Sequence, residues 1–339
     1  MNNVAKQTIA VLGAGSWGMA VARHLDRLGH QVRLWEFDER AADELARTRL
    51  LPSKLPGIRL PDRVAVSNDL AQTLHDSKVI VFVTPSTAIR ATAMQVSERG
   101  KTDALVIEMT KGIDVQTGER MTQIIGSELS RADIVALVGP SHAEEVARDV
   151  PTALVAASND ATRAHQTQEL FSCERMRVYT SDDPVGVELG AALKNIVAIA
   201  AGMVDGLGYE SADNIKGALV TRGLAEITRL GAKMGAKPET FAGLSGVGDL
   251  VTTCLSKNSR NRYVGEQIGR GRTLSETLAG MSMVAEGVTT TQAALRLAER
   301  YQVDMPIARA VSGVLFDGVP AMEAVAALMK RPAQPEIRR

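Results

Sequence analysis

The feature that most constrains this chain is a spaced set of glycines, Gly13-Ala14-Gly15-Ser16-Trp17-Gly18, lying between the apolar run TIAVL and the helically periodic MAVARHLDRLG. A GxGxxG spacing alone is weak evidence. One that ends a strand, opens a helix and is followed by a second strand ending in an acid has the context of a dinucleotide-binding turn. Gly13 permits the tight turn, Gly15 lets backbone approach a pyrophosphate, and Gly18 lets the helix pack closely on the strand. The N–H groups of the turn, those of Ser16 and Trp17 among them, then hold a diphosphate together with the helix dipole. Glu36 ends the second expected strand, within the run QVRLWEF. A carboxylate there accepts hydrogen bonds from an adenine ribose 2′-hydroxyl and repels a 2′-phosphate, which favours NAD over NADP. Asp38 is a rival for that role, and Arg33 and Arg40 lie close enough in sequence to blur the choice.

Seven short runs rich in Val, Ile and Leu punctuate the first 180 residues: TIAVLG, QVRLWEF, VIVFVT, ALVIEMT, IVALVG, TALVAAS and RVYT. Continuous apolar runs of this length read as buried parallel strands. Their alternation with helical segments predicts an α/β, doubly wound Rossmann-type domain over residues 1–180. After Ser181-Asp182-Asp183-Pro184 the chain reads as glycine-punctuated helices. An all-helical second domain is therefore expected over 181–330, with a frayed tail over 331–339.

With 39 basic and 39 acidic side chains, the chain has no net field to steer it onto nucleic acid or an anionic membrane. Any anion it binds has to be caught by a local site. Cys173 and Cys254 form no CxxC pair, which fits free thiols in a reducing, cytoplasmic setting. The five histidines show no metal-ligand spacing, so no metal is expected. The most apolar stretch, Pro184 to Val204, is interrupted by Glu188 and Lys194, so no membrane span is expected.

Lys194 is the most informative single residue of the second half. It lies in an otherwise apolar helix with Gly190, Ala191 and Ala198 on its own face, small neighbours that let a ligand or another segment approach the ammonium. Burial lowers a lysine pKa and a nearby anion raises it, so such a group can be tuned for proton transfer; the plain alternative is a lysine snorkelling to solvent. Lys111 follows the run ALVIEMT, at the carboxyl end of the sheet where α/β proteins bind ligands. Taken alone it is a loop lysine. Asp249 is suited to orient Lys194 or bond a substrate hydroxyl, or else to cap a helix. Asn195 either assists it or fills a polar gap. Ser259-Arg260-Asn261-Arg262 offers a hydroxyl, an amide and guanidinium groups, as a phosphate clamp or an exposed basic turn.

In order along the chain, GAGSWG, Thr110-Lys111-Gly112, VGPSHAEEV from Val138, LKNIVAIAAG from Leu193, TRGLAEI from Thr221, GLSGVGDL from Gly243, Ser259–Arg262 and VAEGVTT from Val284 closely resemble the bacterial NAD(P)-dependent glycerol-3-phosphate dehydrogenases. The resemblance implies that family's two-domain fold, its cofactor, NAD or NADP, and its small-molecule substrate pair, dihydroxyacetone phosphate and sn-glycerol 3-phosphate. It implies Lys194 as the catalytic lysine, and Lys111, Gly139, Ser141, Asp249, Ser259, Arg260 and Asn261 as substrate contacts. Lys111, Ala143, Arg260, Val284 and Glu286 fall on its cofactor-contacting positions. It also implies a role in phospholipid synthesis. Members of the family commonly carry arginine or histidine just after the second strand, where this chain has Glu36-Phe37, so NADP use is the point of departure. His142 belongs to a structural turn in this reading, and a homodimer is expected although the sequence indicates no interface.

Two rivals remain at this stage. Dehydrogenases acting on 3-hydroxy acids or 6-phosphogluconate also use a helical lysine, but a carboxylate substrate does not require the Ser259–Arg262 clamp. A non-catalytic dinucleotide sensor needs the glycine turn but not Lys111, Lys194 and Asp249.

Overall fold

The computed structural model describes residues 5–100, 103–281, 283–333 and 335–336. Of the tail expected to fray, Gln334 and Ile337–Arg339 lie outside the described residues, while Arg331 pairs with Asp304 at 2.7 Å. The eight strands are β1 (Thr8–Leu12), β2 (Gln31–Trp35), β3 (Ala65–Ser67), β4 (Val79–Phe82), β5 (Leu105–Glu108), β6 (Asp133–Val138), β7 (Thr152–Ala157) and β8 (Met176–Ser181), in the sheet order β3-β2-β1-β4-β5-β6-β7-β8. From β3 to β6 all pairs are parallel, and β1 is flanked by β2 and β4. The order reverses there, so the carboxyl ends of β1 and β4 open a crevice beside the glycine turn.

The sequence reading missed β3, whose three residues are too short for an apolar run, and it read all the strands as parallel. β7 instead pairs antiparallel with β6, and β8 follows β7. β8 also alternates buried and exposed residues because it is an edge strand, rather than being buried on both faces. The inner strands are covered on both sides. Ile9, Val11, Val79 and Val81 pack into one apolar cluster, and Ala10, Leu12, Ile80 and Phe82 into another across the sheet.

Beyond Ser181 the described chain is helical. The helix Pro184–Gly206 is the axis of this half. Its 23 residues are long and apolar enough to cross a membrane, yet the apolar window is wholly buried within the fold. Glycines explain its tight packing. A Cβ at Gly202 or Gly206 would collide with backbone of the helix Arg260–Gly269, and one at Gly265 or Gly269 would collide back. The two charges that interrupt the stretch Pro184 to Val204 both face partners: Glu188 accepts from Thr122 N at 2.9 Å and pairs with Arg120, and Lys194 pairs with Asp249.

Candidate active site

The turn after β1 has the geometry that its glycines suggest. Gly13 holds φ at +113°, where an L side chain is strained, and its N–H donates to Trp35 O at 2.9 Å. A Cβ at Gly18 would drive into the Gly13 carbonyl, whereas one at Gly15 would meet nothing within 4 Å. Two of the glycines are thus required by protein contacts and the third leaves free space at the start of the helix Ser16–Arg27. Open room beside helix N–H groups is what a dinucleotide diphosphate requires. Ser16 Oγ donates to Lys54 O and lies 3.0 Å from Met283 Sδ, which brings the segment carrying the exposed Val284 to this turn. Glu286 opens the helix Glu286–Arg300 and accepts from Ser86 N at 3.2 Å and from Ser86 Oγ, on the loop after β4. Gly112 is pressed against Ser86, close to the Glu286 carboxylate.

Five of the expected substrate residues form one hydrogen-bonded network. Lys194 Nζ donates to Asp249 Oδ1 at 2.6 Å and to Thr253 Oγ1. Lys111 Nζ donates to Asp249 Oδ2 at 2.8 Å and to Gly139 O at 2.8 Å, and Ser141 Oγ donates to the same carbonyl at 3.0 Å. Gly139 holds φ at +153°, which lets the chain turn sharply after β6. Lys194 is 4% exposed and Asp249 1%. Two ammonium groups therefore share one buried carboxylate, an excess of one positive charge that an anionic ligand would balance.

The titration of these groups follows from that arrangement. Burial, together with the charge of Lys111, pushes Lys194 down to about 8 although Asp249 opposes the shift. Burial acts to raise the Asp249 carboxyl, but Lys111 and Lys194 outweigh it and hold the group below its ordinary value. Burial and the same two lysines push His142, the residue preceding the short helix Ala143–Val146, down to about 4. His142 is accordingly neutral near pH 7.

The structure decides between alternatives that the sequence left open. Asp249 is the first residue of the helix Asp249–Leu255, preceded by Gly248, and its carboxylate faces the lysines instead of capping the helix. Lys194 is not a snorkelling lysine. Ser259 does cap its helix, accepting from Arg262 N at 3.2 Å. Asn261 Oδ1 accepts from Gly287 N at 2.9 Å, and Gly287 also lies against Asn195 O, so the tetrapeptide sits one residue along from Lys194. Arg262 does not belong to a clamp, because its Nε donates to Asp205 Oδ2 at 2.7 Å. Arg260 is exposed and, among the described residues, has no hydrogen-bond or ion-pair partner. Asp38 caps the helix Glu39–Thr48 through Ala41 N, leaving Glu36 as the acid at the end of β2.

Sequence reasoning missed Thr253, one helical turn after Asp249 on the same face, a spacing that would have found it. It also missed Ser86, whose link to Glu286 spans 200 residues, and Glu108, which is fully buried at the end of β5. Glu108 Oε1 accepts from Thr110 N, two residues from the carboxylate, at the start of the Thr110–Gly112 turn. Burial and then the charge of Glu188 push its carboxyl well above the ordinary range.

Comparison with known proteins finds matches along nearly the whole chain. Residues 8–164 match the family model for the NAD-dependent glycerol-3-phosphate dehydrogenase N-terminus, and residues 183–326 match that for its C-terminus. The glycerol-3-phosphate dehydrogenase [NAD(P)+] of Pelotomaculum thermopropionicum is 50% identical over 95% of this chain and 93% of its own. That of Prosthecochloris aestuarii is 48% identical over 97% and 99%. The crystal structure of the Coxiella burnetii glycerol-3-phosphate dehydrogenase superposes with a TM-score of 0.92 at 36% identity, covering 96% of this chain and 99% of that one. The chain belongs to the NAD-dependent glycerol-3-phosphate dehydrogenase family.

Proposed function

We propose that this chain interconverts dihydroxyacetone phosphate and sn-glycerol 3-phosphate with NAD or NADP, and that Lys194 moves the proton. The observation that carries the proton assignment is the buried Lys194–Asp249–Lys111 cluster at the carboxyl end of the sheet. The nicotinamide supplies or accepts a hydride when bound. In reduction, Lys194 Nζ would give its proton to the substrate carbonyl oxygen as that oxygen gains negative charge. In oxidation, neutral Lys194 accepts the hydroxyl proton. Asp249 holds the Lys194 and Lys111 ammonium groups side by side, and Lys111 stabilises the charge developing on the substrate oxygen.

The exposed guanidinium of Arg260, with Ser259 and Asn261 beside it, takes the substrate phosphate. Gly139 and Ser141 line the turn against the substrate. Gly13, Gly15, Ser16, Trp17 and Gly18 hold the coenzyme diphosphate, Glu36 its adenine ribose, and Lys111, Ala143, Arg260, Val284 and Glu286 its nicotinamide half. In this reading residues 1–180 form the dinucleotide-binding domain and 181–330 the substrate domain. The enzyme acts in the cytoplasm, supplying glycerol 3-phosphate for phospholipid synthesis. A homodimer is supported by the exposed apolar Phe316, Val319 and Met322 near the end of the chain.

The direct test follows the loss of NADH and of NADPH absorbance with dihydroxyacetone phosphate. Oxidation of either is expected. No oxidation of either by folded protein would overturn the reading and point to a carboxylate substrate or to nucleotide sensing.

A further inference from the structure

Glu36 is not a free carboxylate. Its Oε2 lies 3.2 Å from Lys54 Nζ and its Oε1 accepts from Asp38 N at 3.3 Å. Lys54 is far enough along the chain that the fingerprint region did not suggest it. Its carbonyl accepts from Ser16 Oγ, which ties the segment around Lys54 to the first residue of the helix Ser16–Arg27. Lys54 therefore links the diphosphate turn, through its carbonyl, to the acid just after β2, through its ammonium. The two arginines whose closeness in sequence blurred the coenzyme choice do not take this place. The Arg33 guanidinium donates to the carbonyls of Gln72 and His75, and Arg40 is exposed on the helix Glu39–Thr48.

This pairing changes what Glu36 can select. A lone carboxylate at the end of β2 accepts from a ribose 2′-hydroxyl and repels a 2′-phosphate. A carboxylate already neutralised by an ammonium repels that phosphate far less, and the ammonium supplies a cation for it. The two side chains stay partly accessible, 30% for Lys54 and 12% for Glu36, so a ligand can reach both.

We propose that Lys54 is a coenzyme-specificity residue, and that with Glu36 it forms a two-sided reader of the adenine ribose. Glu36 accepts from the 2′-hydroxyl of NAD, and Lys54 takes the 2′-phosphate of NADP. The chain then accepts both coenzymes, its preference set by the balance of this pair. The proposal rests on the coenzyme assignment above and deepens it.

The test titrates NADH and NADPH separately against wild type, Lys54→Met, Lys54→Arg and Glu36→Gln, reading the fluorescence of Trp17 and Trp35, alongside turnover of dihydroxyacetone phosphate. Because Ser16 bonds the Lys54 carbonyl, the methionine variant keeps the backbone tie. Wild type is expected to bind both coenzymes. Lys54→Met should weaken NADPH about tenfold or more while leaving NADH within about twofold, since a charge-assisted hydrogen bond is lost for one ligand alone. Lys54→Arg should restore NADPH binding, and Glu36→Gln should shift the ratio towards NADPH. Equal weakening of both coenzymes by Lys54→Met, or no change in either, would overturn the proposal. Binding with the expected ratios but no turnover would instead refute the substrate assignment and leave Lys54 in place. Failure of folded wild type to bind either nucleotide would sink both.

Discussion

In the function proposed above, the glycine turn after β1 and the lysine cluster around Lys194 of the helix Pro184–Gly206 are two halves of one site, and they are built in opposite ways. The turn is made of backbone, drawn from six consecutive residues, and its demands are steric: φ at +113° for Gly13, no room for a Cβ at Gly18. The cluster is made of the side chains of Lys111, Lys194, Asp249 and Thr253 with the backbone carbonyl of Gly139, and its demands are electrostatic. A local backbone device can be moved with its sequence. A cluster of buried charges exists only where distant segments are held together, and each member depends on the others.

Four measurements sharpen that contrast, beginning with the largest effect. Lys194→Met removes the proposed proton donor, and kcat should fall by about 10²- to 10⁴-fold. Coenzyme affinity, read by Trp fluorescence, should stay close to wild type because the glycine turn is untouched; a parallel loss of affinity would mean that the two halves are not separable. Asp249→Asn leaves two like charges facing each other without their counter-ion. Removing one partner of a buried ion pair costs about 3–5 kcal/mol, and chemical denaturation should show a loss of that order. A change below about 1 kcal/mol would mean that the lysines find water or each other's neighbours instead.

The third measurement is the pH profile. With Lys194 near 8, kcat/KM for ketone reduction, which needs the ammonium, should fall as pH rises through about 8. For alcohol oxidation, which needs the amine, it should rise through the same pH. Between about 8 and about 10.4 the unfolded chain still holds a proton that folded Lys194 has lost, so this group adds stability as pH rises there. Profiles of the same sign in both directions would remove Lys194 as the proton carrier. The smallest effect is expected for Gly13→Ala, whose strain at φ +113° costs about 1–3 kcal/mol. It should weaken both coenzymes together while leaving the pH midpoint of turnover unmoved.

The contrast also explains what could be read in advance. Gly13, Gly15, Gly18 and Glu36 were legible because a strand–turn–helix unit is specified by neighbours in sequence. The long helix carrying Lys194 and the helical character of the second half were legible from composition and glycine spacing. Thr253, Ser86 and Lys54 were not, because each acts on a partner brought near by packing: Thr253 on Lys194, Ser86 on Glu286, Lys54 on Glu36. The reversed direction of β7 and β8 was hidden for a related reason. A buried apolar run has the same appearance whichever way its strand points.

By itself, the sequence determined a glycine-tightened dinucleotide turn, an α/β sheet followed by helices, and the identity of the residues able to bind an anion or carry a proton. These depend on hydrophobic period and on the allowed backbone angles of single residues. Only the tertiary structure decided that Asp249 lies between two lysines, that Arg262 pairs with Asp205 while Arg260 has no ion-pair partner among the described residues, and that Glu36 is neutralised by Lys54. Charge–charge energies depend on distance and burial, and neither quantity is written in the order of the residues.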